Sequence, residues 1–174
     1  MKKYHLHLPV LALIMCCAAA TQASPGKKIA AEKNAESTNK SNEKDQEKEK
    51  ISNAAYVYYA FPINASILTS TTLNCTIAAA AENGSVIDCV NKAKIDAEKI
   101  FQDLITACTK ANNPSAVDAL IEYYAAWTKT MDFLASNYSG RPGTSPYERH
   151  LSELKSETDS KELKVKFKIP SPKQ

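Results

Sequence analysis

The chain has 174 residues, 44% of them hydrophobic, 24% charged and 7% aromatic, with a formal net charge of +3. This is the size and composition of one soluble domain, and a charge so near neutrality argues against a protein that coats nucleic acid. The four glycines are too few for the turns of a strand-rich fold or for a glycine-rich phosphate loop, so an all-α fold is expected.

Residues 1–23 read as an export signal peptide. Lys2 and Lys3 give a positive start, residues 10–20 an unbroken apolar run, and Thr21-Gln22-Ala23 the small residues at which a signal peptidase cuts. A run of about 11 residues is too short to span a bilayer as a helix, which needs roughly 20. Cleavage after Ala23 yields a periplasmic or secreted protein. The alternative is a lipid anchor on Cys16 or Cys17, although neither follows the small residue that a lipoprotein signal wants; that is the one expected route to a membrane. Loss of the leader lowers the net charge to +1 and leaves His150 as the sole histidine and Cys75, Cys89 and Cys108 as the cysteines.

Residues 24–50 are a low-complexity Lys/Glu/Asn/Ser segment with seven Lys and six acids between positions 27 and 50. Such a stretch cannot bury enough apolar surface to offset the entropy of ordering it, so a disordered charged tether is expected. The interleaved acids cancel the field that a polybasic membrane patch needs.

The folded part is expected at residues 51–160. Pro62 argues against one uninterrupted helix there, because it lacks a backbone donor and crowds the preceding turn. Ile67, Leu68, Thr71, Cys75, Ala78 and Ala79 keep helical spacing after it, which predicts a helix at about 63–82. The aromatic-rich residues 56–61 fit either a short helix or an extended lead-in. Val86, Cys89, Val90, Ala93, Ala97, Ile100, Phe101, Leu104 and Cys108 form a long stripe with charges off it, predicting a helix at 85–111 that Asn112-Asn113-Pro114 stops. A second stripe, Val117, Leu120, Ile121, Tyr124, Thr128, Met131, Leu134, Ala135 and Tyr138, predicts a helix at 115–138 closed by Gly140 and Pro142. Ser145-Pro146-Tyr147-Glu148 has capping-box spacing and opens a fourth helix at 146–157 or beyond. Residues 161–174 alternate lysines with Val165, Phe167 and Ile169 and read as a basic tail, either frayed or a short strand. The whole is a small antiparallel bundle of three to four helices.

An oxidising compartment makes a disulfide the default for paired cysteines. Cys89 and Cys108, 19 residues apart on one helix, are separated by about 28 Å and cannot pair. Cys75 and Cys89 flank the Asn83-Gly84 turn at similar distances and should face each other in a hairpin; Cys75–Cys108 is the alternative. Cys108 is then a buried free thiol. The cysteine spacing and the one remaining histidine make no zinc pattern, and no cofactor is expected.

No catalytic constellation stands out. His150 falls on a charged helix with no nucleophile motif beside it, and Ser152-Glu153-Leu154-Lys155 has a serine–lysine spacing without a second signature. Two aromatic clusters, Tyr56, Tyr58, Tyr59 and Phe61, then Tyr123, Tyr124 and Trp127, serve either a small core or a partner interface, where Tyr and Trp dominate. The expected role is a non-enzymatic, protein-binding component of the bacterial envelope, resembling inhibitors or immunity proteins in layout only, with Tyr56, Tyr58, Tyr59, Phe61, Tyr123 and Trp127 as candidate anchors. The alternative is a tethered structural or assembly component that self-associates.

Overall fold

The computed structural model describes residues 32–81, 85–137 and 143–172, with side chains from residue 43. The leader with Cys16 and Cys17, residues 24–31, the Asn83-Gly84 turn, residues 138–142 and the last two residues lie outside them. Among the described residues four helices run in antiparallel succession: α1 Glu32–Ala80, α2 Ser85–Lys110, α3 Pro114–Asn137 and α4 Ser145–Lys168. No strand occurs among the described residues. Each helix packs on its neighbour in sequence, and α1 also reaches α3, which makes α3 the central element.

Helix α2 forms where the stripe predicts it, and Val86, Val90, Ala93, Ala97, Phe101, Leu104 and Cys108 are buried. It ends because Asn112 turns to a left-handed backbone, φ 55°, which Asn tolerates better than most residues. The Asn113 and Asn112 amides then donate to the Cys108 and Thr109 carbonyls, both at 2.9 Å. Asn113 also caps α3, its Oδ1 accepting the Ala116 N–H at 3.1 Å, with Pro114 opening the helix. Its Nδ2 donates to the Lys168 carbonyl at 2.9 Å, which fastens this turn to the end of α4.

The buried face of α3 differs from the expected stripe. Ala116, Ala119, Leu120, Tyr123, Ala126, Trp127, Met131 and Leu134 are buried, whereas Ile121 is exposed and Val117, Tyr124 and Thr128 are half-buried. A helix that touches three others buries a wide arc, so small residues such as Ala116, Ala119 and Ala126 line it beside the large ones.

Three expectations are corrected. Pro62 lies inside α1, which runs through it without a break. Pro62 is exposed, while Val57, Phe61, Ala65 and Leu68 on the opposite side are buried before and after it. That packing outweighs a local cost of about 3 kcal/mol. The aromatic lead-in is therefore helical. At the other end, residues 161–168 are neither strand nor frayed tail but the last turns of α4. Alternation over so few residues fits two periods equally, and the decisive spacing is Leu151, Leu154, Val165 and Ile169, all buried. Finally, the α4 N-cap is Thr144 rather than Ser145, and the Glu148 carboxylate accepts the Gly143 N–H at 3.1 Å.

Of the segment expected as a tether, residues 32–50 are helical in α1, and residues 43–49 are exposed and add nothing to the core. Lys and Glu are good helix formers, and extending an existing helix avoids the cost of a new nucleus.

Candidate functional site

Cys75 and Cys89 stand at disulfide distance, Cα–Cα 5.6 Å, and join α1 to α2 as the hairpin geometry anticipates. Cys108 is free and buried, and desolvation pushes its thiol up to about 11. A thiol so placed is a poor nucleophile.

The six candidate anchors divide by helix face. Phe61, Tyr123 and Trp127 belong to the core: the Tyr123 ring lies 5.9 Å from Phe61 and 5.6 Å from Phe101, centroid to centroid. The Trp127 indole Nε1 donates to Thr72 Oγ1 at 3.0 Å, and that hydroxyl donates to the Leu68 carbonyl at 2.9 Å. These contacts tie α1 to α3, and each of the three aromatics is only 1% exposed, which leaves a partner almost no surface on them. Tyr56, Tyr58 and Tyr59 are exposed. The rings of Tyr58 and Tyr59 meet edge to face at 5.1 Å.

The exposed tyrosines begin a longer feature that the sequence reading overlooked. From Ile51 to Ala81 the chain has no Asp, Glu, Lys or Arg. In a helix this spans about 46 Å. One side of it supplies core residues, and the other turns Tyr56, Tyr59, Ile63, Ile67, Leu73 and Ile77 outward, each between 47% and 64% exposed. Ser66, Ser70 and Asn74 fill the gaps between them and are exposed too. The two opposed apolar faces explain why α1 is hardly amphipathic. A signal was present in the sequence: Tyr56, Tyr59, Ile63, Ser66, Ser70, Leu73 and Ile77 repeat at steps of three and four alongside the core stripe.

The rest of the surface is conventional. Lys94–Asp132 at 2.8 Å links α2 to α3, and Lys129–Glu157 at 2.9 Å links α3 to α4. Glu122 on α3 accepts from Lys164 at 2.6 Å and Lys161 at 2.9 Å, which holds its carboxyl down to about 2. Exposed pairs of this kind contribute little each. Between residues 51 and 81 α1 has no group able to join them.

Other chemistry is sparse. His150 is exposed, with its ring 4.9 Å from that of Phe133 and Nδ1 3.3 Å from Glu153. Ser152 is exposed on the same helix, and a shallow surface hollow there is lined by Ser152, Lys155 and Asp159. Between α1 and α4 runs a groove floored by Tyr123, Trp127 and Thr130, with Lys155, Asp159 and Glu162 on its α4 wall. Among the described residues no three His, Cys, Asp or Glu side chains converge as metal ligands. Nor is any described helix long and apolar enough to cross a membrane. No protein-family model, curated protein or solved structure matches the chain.

Proposed function

We propose that the protein is an exported, non-catalytic binding module of the bacterial cell envelope, and that it engages protein through the outer face of α1. The observation that carries this reading is the uncharged stretch from Ile51 to Ala81, with six large apolar or aromatic side chains turned to solvent on one face. Isolated exposed apolar residues are ordinary on any surface; a contiguous row of them marks an interaction site. Tyrosine and isoleucine on a rigid helix lose little entropy on docking, and no charge on this face must be desolvated. The Lys2-Lys3 leader and the Cys75–Cys89 pair support an oxidising, extracytoplasmic location. In this reading the bundle is a scaffold and α1 its working surface.

A second reading, a self-associating component of the envelope, is favoured by the internal pattern of the same face. A photo-crosslinking residue introduced at Ile63 in cells tests the first reading. Crosslinked product is expected from Ile63 and not from Asp118, which is exposed on α3. Equal, background labelling at both positions would overturn the assignment of the face, and retention of the chain in the cytoplasm would overturn the location.

A further inference from the structure

We infer that the occupant of the α1 face is the α1 face of a second copy of this chain, packed antiparallel about a two-fold axis between Ser66 and Ser70. The inference rests on the reading of that face as a docking surface and adds the identity of the partner.

The first argument is the order of residues. The outward positions follow a heptad, with Tyr56, Ile63, Ser70 and Ile77 in one set and Tyr59, Ser66, Leu73 and Ala80 in the other. Reversal about the midpoint between Ser66 and Ser70 sets Ser66 against Ser70, Ile63 against Leu73, Tyr59 against Ile77 and Tyr56 against Ala80. Every layer then joins a member of one set to a member of the other, as antiparallel packing requires. The two serines at the centre let the backbones approach, and the bulky residues close over each side. An isologous interface needs a surface complementary to itself, and this one is.

The second argument is area. Six side chains at 47% to 64% exposure present on the order of 700 Å² per chain, taking about 200 Å² for each when fully exposed. A standard stable interface buries about 800 Å² on each side. Face and requirement agree without recourse to other helices.

The third argument is charge, and it fixes direction and partner class. Continuing the heptad toward the N-terminus puts Asp45 and Glu49 on the same stripe, both exposed. Parallel pairing would set Asp45 against Asp45, like charges in contact, and would bring together two copies of Glu49, each already paired with its own Lys110 at 3.1 Å. Antiparallel pairing carries these residues past the end of the partner helix and apart. A membrane surface fits less well, because interfacial helices use Lys and Arg beside the apolar face to hold anionic lipid, and α1 has neither between Ile51 and Ala81. A strongly charged protein partner would find no complement on this face.

Sedimentation equilibrium of the purified protein tests the inference, alone and with vesicles of phosphatidylglycerol and phosphatidylethanolamine. A dimer with a dissociation constant in the micromolar range or below is expected, together with no binding to vesicles. Ile63→Glu should weaken it at least 100-fold, since each dimer receives the charge twice, with the helical circular dichroism unchanged because Ile63 is exposed within one chain. Mild oxidation of the Ile63→Cys, Leu73→Cys double variant should yield a crosslink whose peptides join position 63 to position 73. A chain that remains monomeric at 100 μM, a 63-to-63 crosslink, or a monomer that binds the vesicles would overturn the inference. If the monomer's Ile63 photo-crosslinker still captures another protein in cells, the pairing fails and the docking reading stands; if it captures nothing, both fail.

Discussion

Breaking the Cys75–Cys89 bond should remove a large, measurable part of the stability of the bundle. The two residues are 14 apart in sequence, so the bond closes a loop of about 15 residues in the unfolded chain. In the chain-entropy model that closure stabilises the folded state by roughly 3 kcal/mol at 25 °C. A domain of roughly 120 residues unfolds with an entropy near 0.25 kcal/mol/K, so the loss corresponds to a fall in Tm of about 12 °C. Cys75 is fully buried in the α1–α2 contact, so replacement by Ser adds the burial of a hydroxyl, and Cys→Ala at both positions is the cleaner perturbation. Thermal unfolding of the parent with and without reductant, and of Cys75→Ala, Cys89→Ala and the double variant, measures the effect. The two single variants and the double should fall together rather than add, because each breaks the same bond. Reductant should lower the Tm of the parent and of none of these three variants. A Cys108→Ser chain should keep its full response to reductant. A loss below about 3 °C, additive single variants, or a reductant effect that persists in the double variant would refute the reasoning.

Other outcomes follow from single contacts. Thr72→Val removes the acceptor of the buried Trp127 indole N–H at nearly constant volume and should destabilise by about 1–3 kcal/mol in urea unfolding followed by Trp fluorescence; a change under 0.5 kcal/mol would deny the bond that role. Pro62→Ala restores a helical N–H at an exposed position and should stabilise by roughly 1 kcal/mol or more, seen as a raised urea midpoint. The Glu122 carboxyl, held down to about 2 by Lys164 and Lys161, binds its proton less readily folded than unfolded. Its stabilisation is therefore complete above the ordinary carboxylate pKa near 4.5 and fades as pH falls toward 2, so the α3–α4 contact should loosen over that interval and lose this response in Glu122→Gln. An NMR titration that places Glu122 among ordinary glutamates would remove the basis for it. A chain beginning at Ile51 should melt within a few degrees of the parent, since residues 43–49 are exposed and their side-chain contacts, the Lys110–Glu49 pair at 3.1 Å and the Asn53 Nδ2 bond to the Glu49 carbonyl at 2.8 Å, lie on the surface.

The fold was legible where one hydrophobic period dominated. In α2 every stripe position from Val86 to Cys108 packs inward or against the core, and the Asn112-Asn113-Pro114 stop does its work through backbone chemistry that those residues favour. The disulfide followed from counting residues on either side of a turn. Legibility failed where two signals overlapped. In α1 the core set around Leu68 and Cys75 and the outer set around Ile63 and Ile77 share one helix, so apolar residues occur on nearly every side and periodicity is lost. Pro62 marks only a local cost in the sequence, whereas the packing of Val57, Phe61, Ala65 and Leu68 that offsets it is a property of the folded bundle. Tyr123 and Trp127 looked like interface anchors because their residue types serve both purposes; only the place of α3 at the centre decides for the core. The candidate site was half seen, through its tyrosines, while the missing charges that define its extent were not remarked.

Helix α4 leans on α3, and its flank toward α1 is an open groove. Cooperative units of a bundle open at unequal free energies, lowest where fewest neighbours must be parted. Amide protons of α4 should therefore exchange with solvent ahead of those in the cross-linked α1–α2 pair. When α4 lifts, the groove floor of Tyr123, Trp127 and Thr130 becomes outer surface. The aromatic residues of the closed bundle are thus separated from water by one helix.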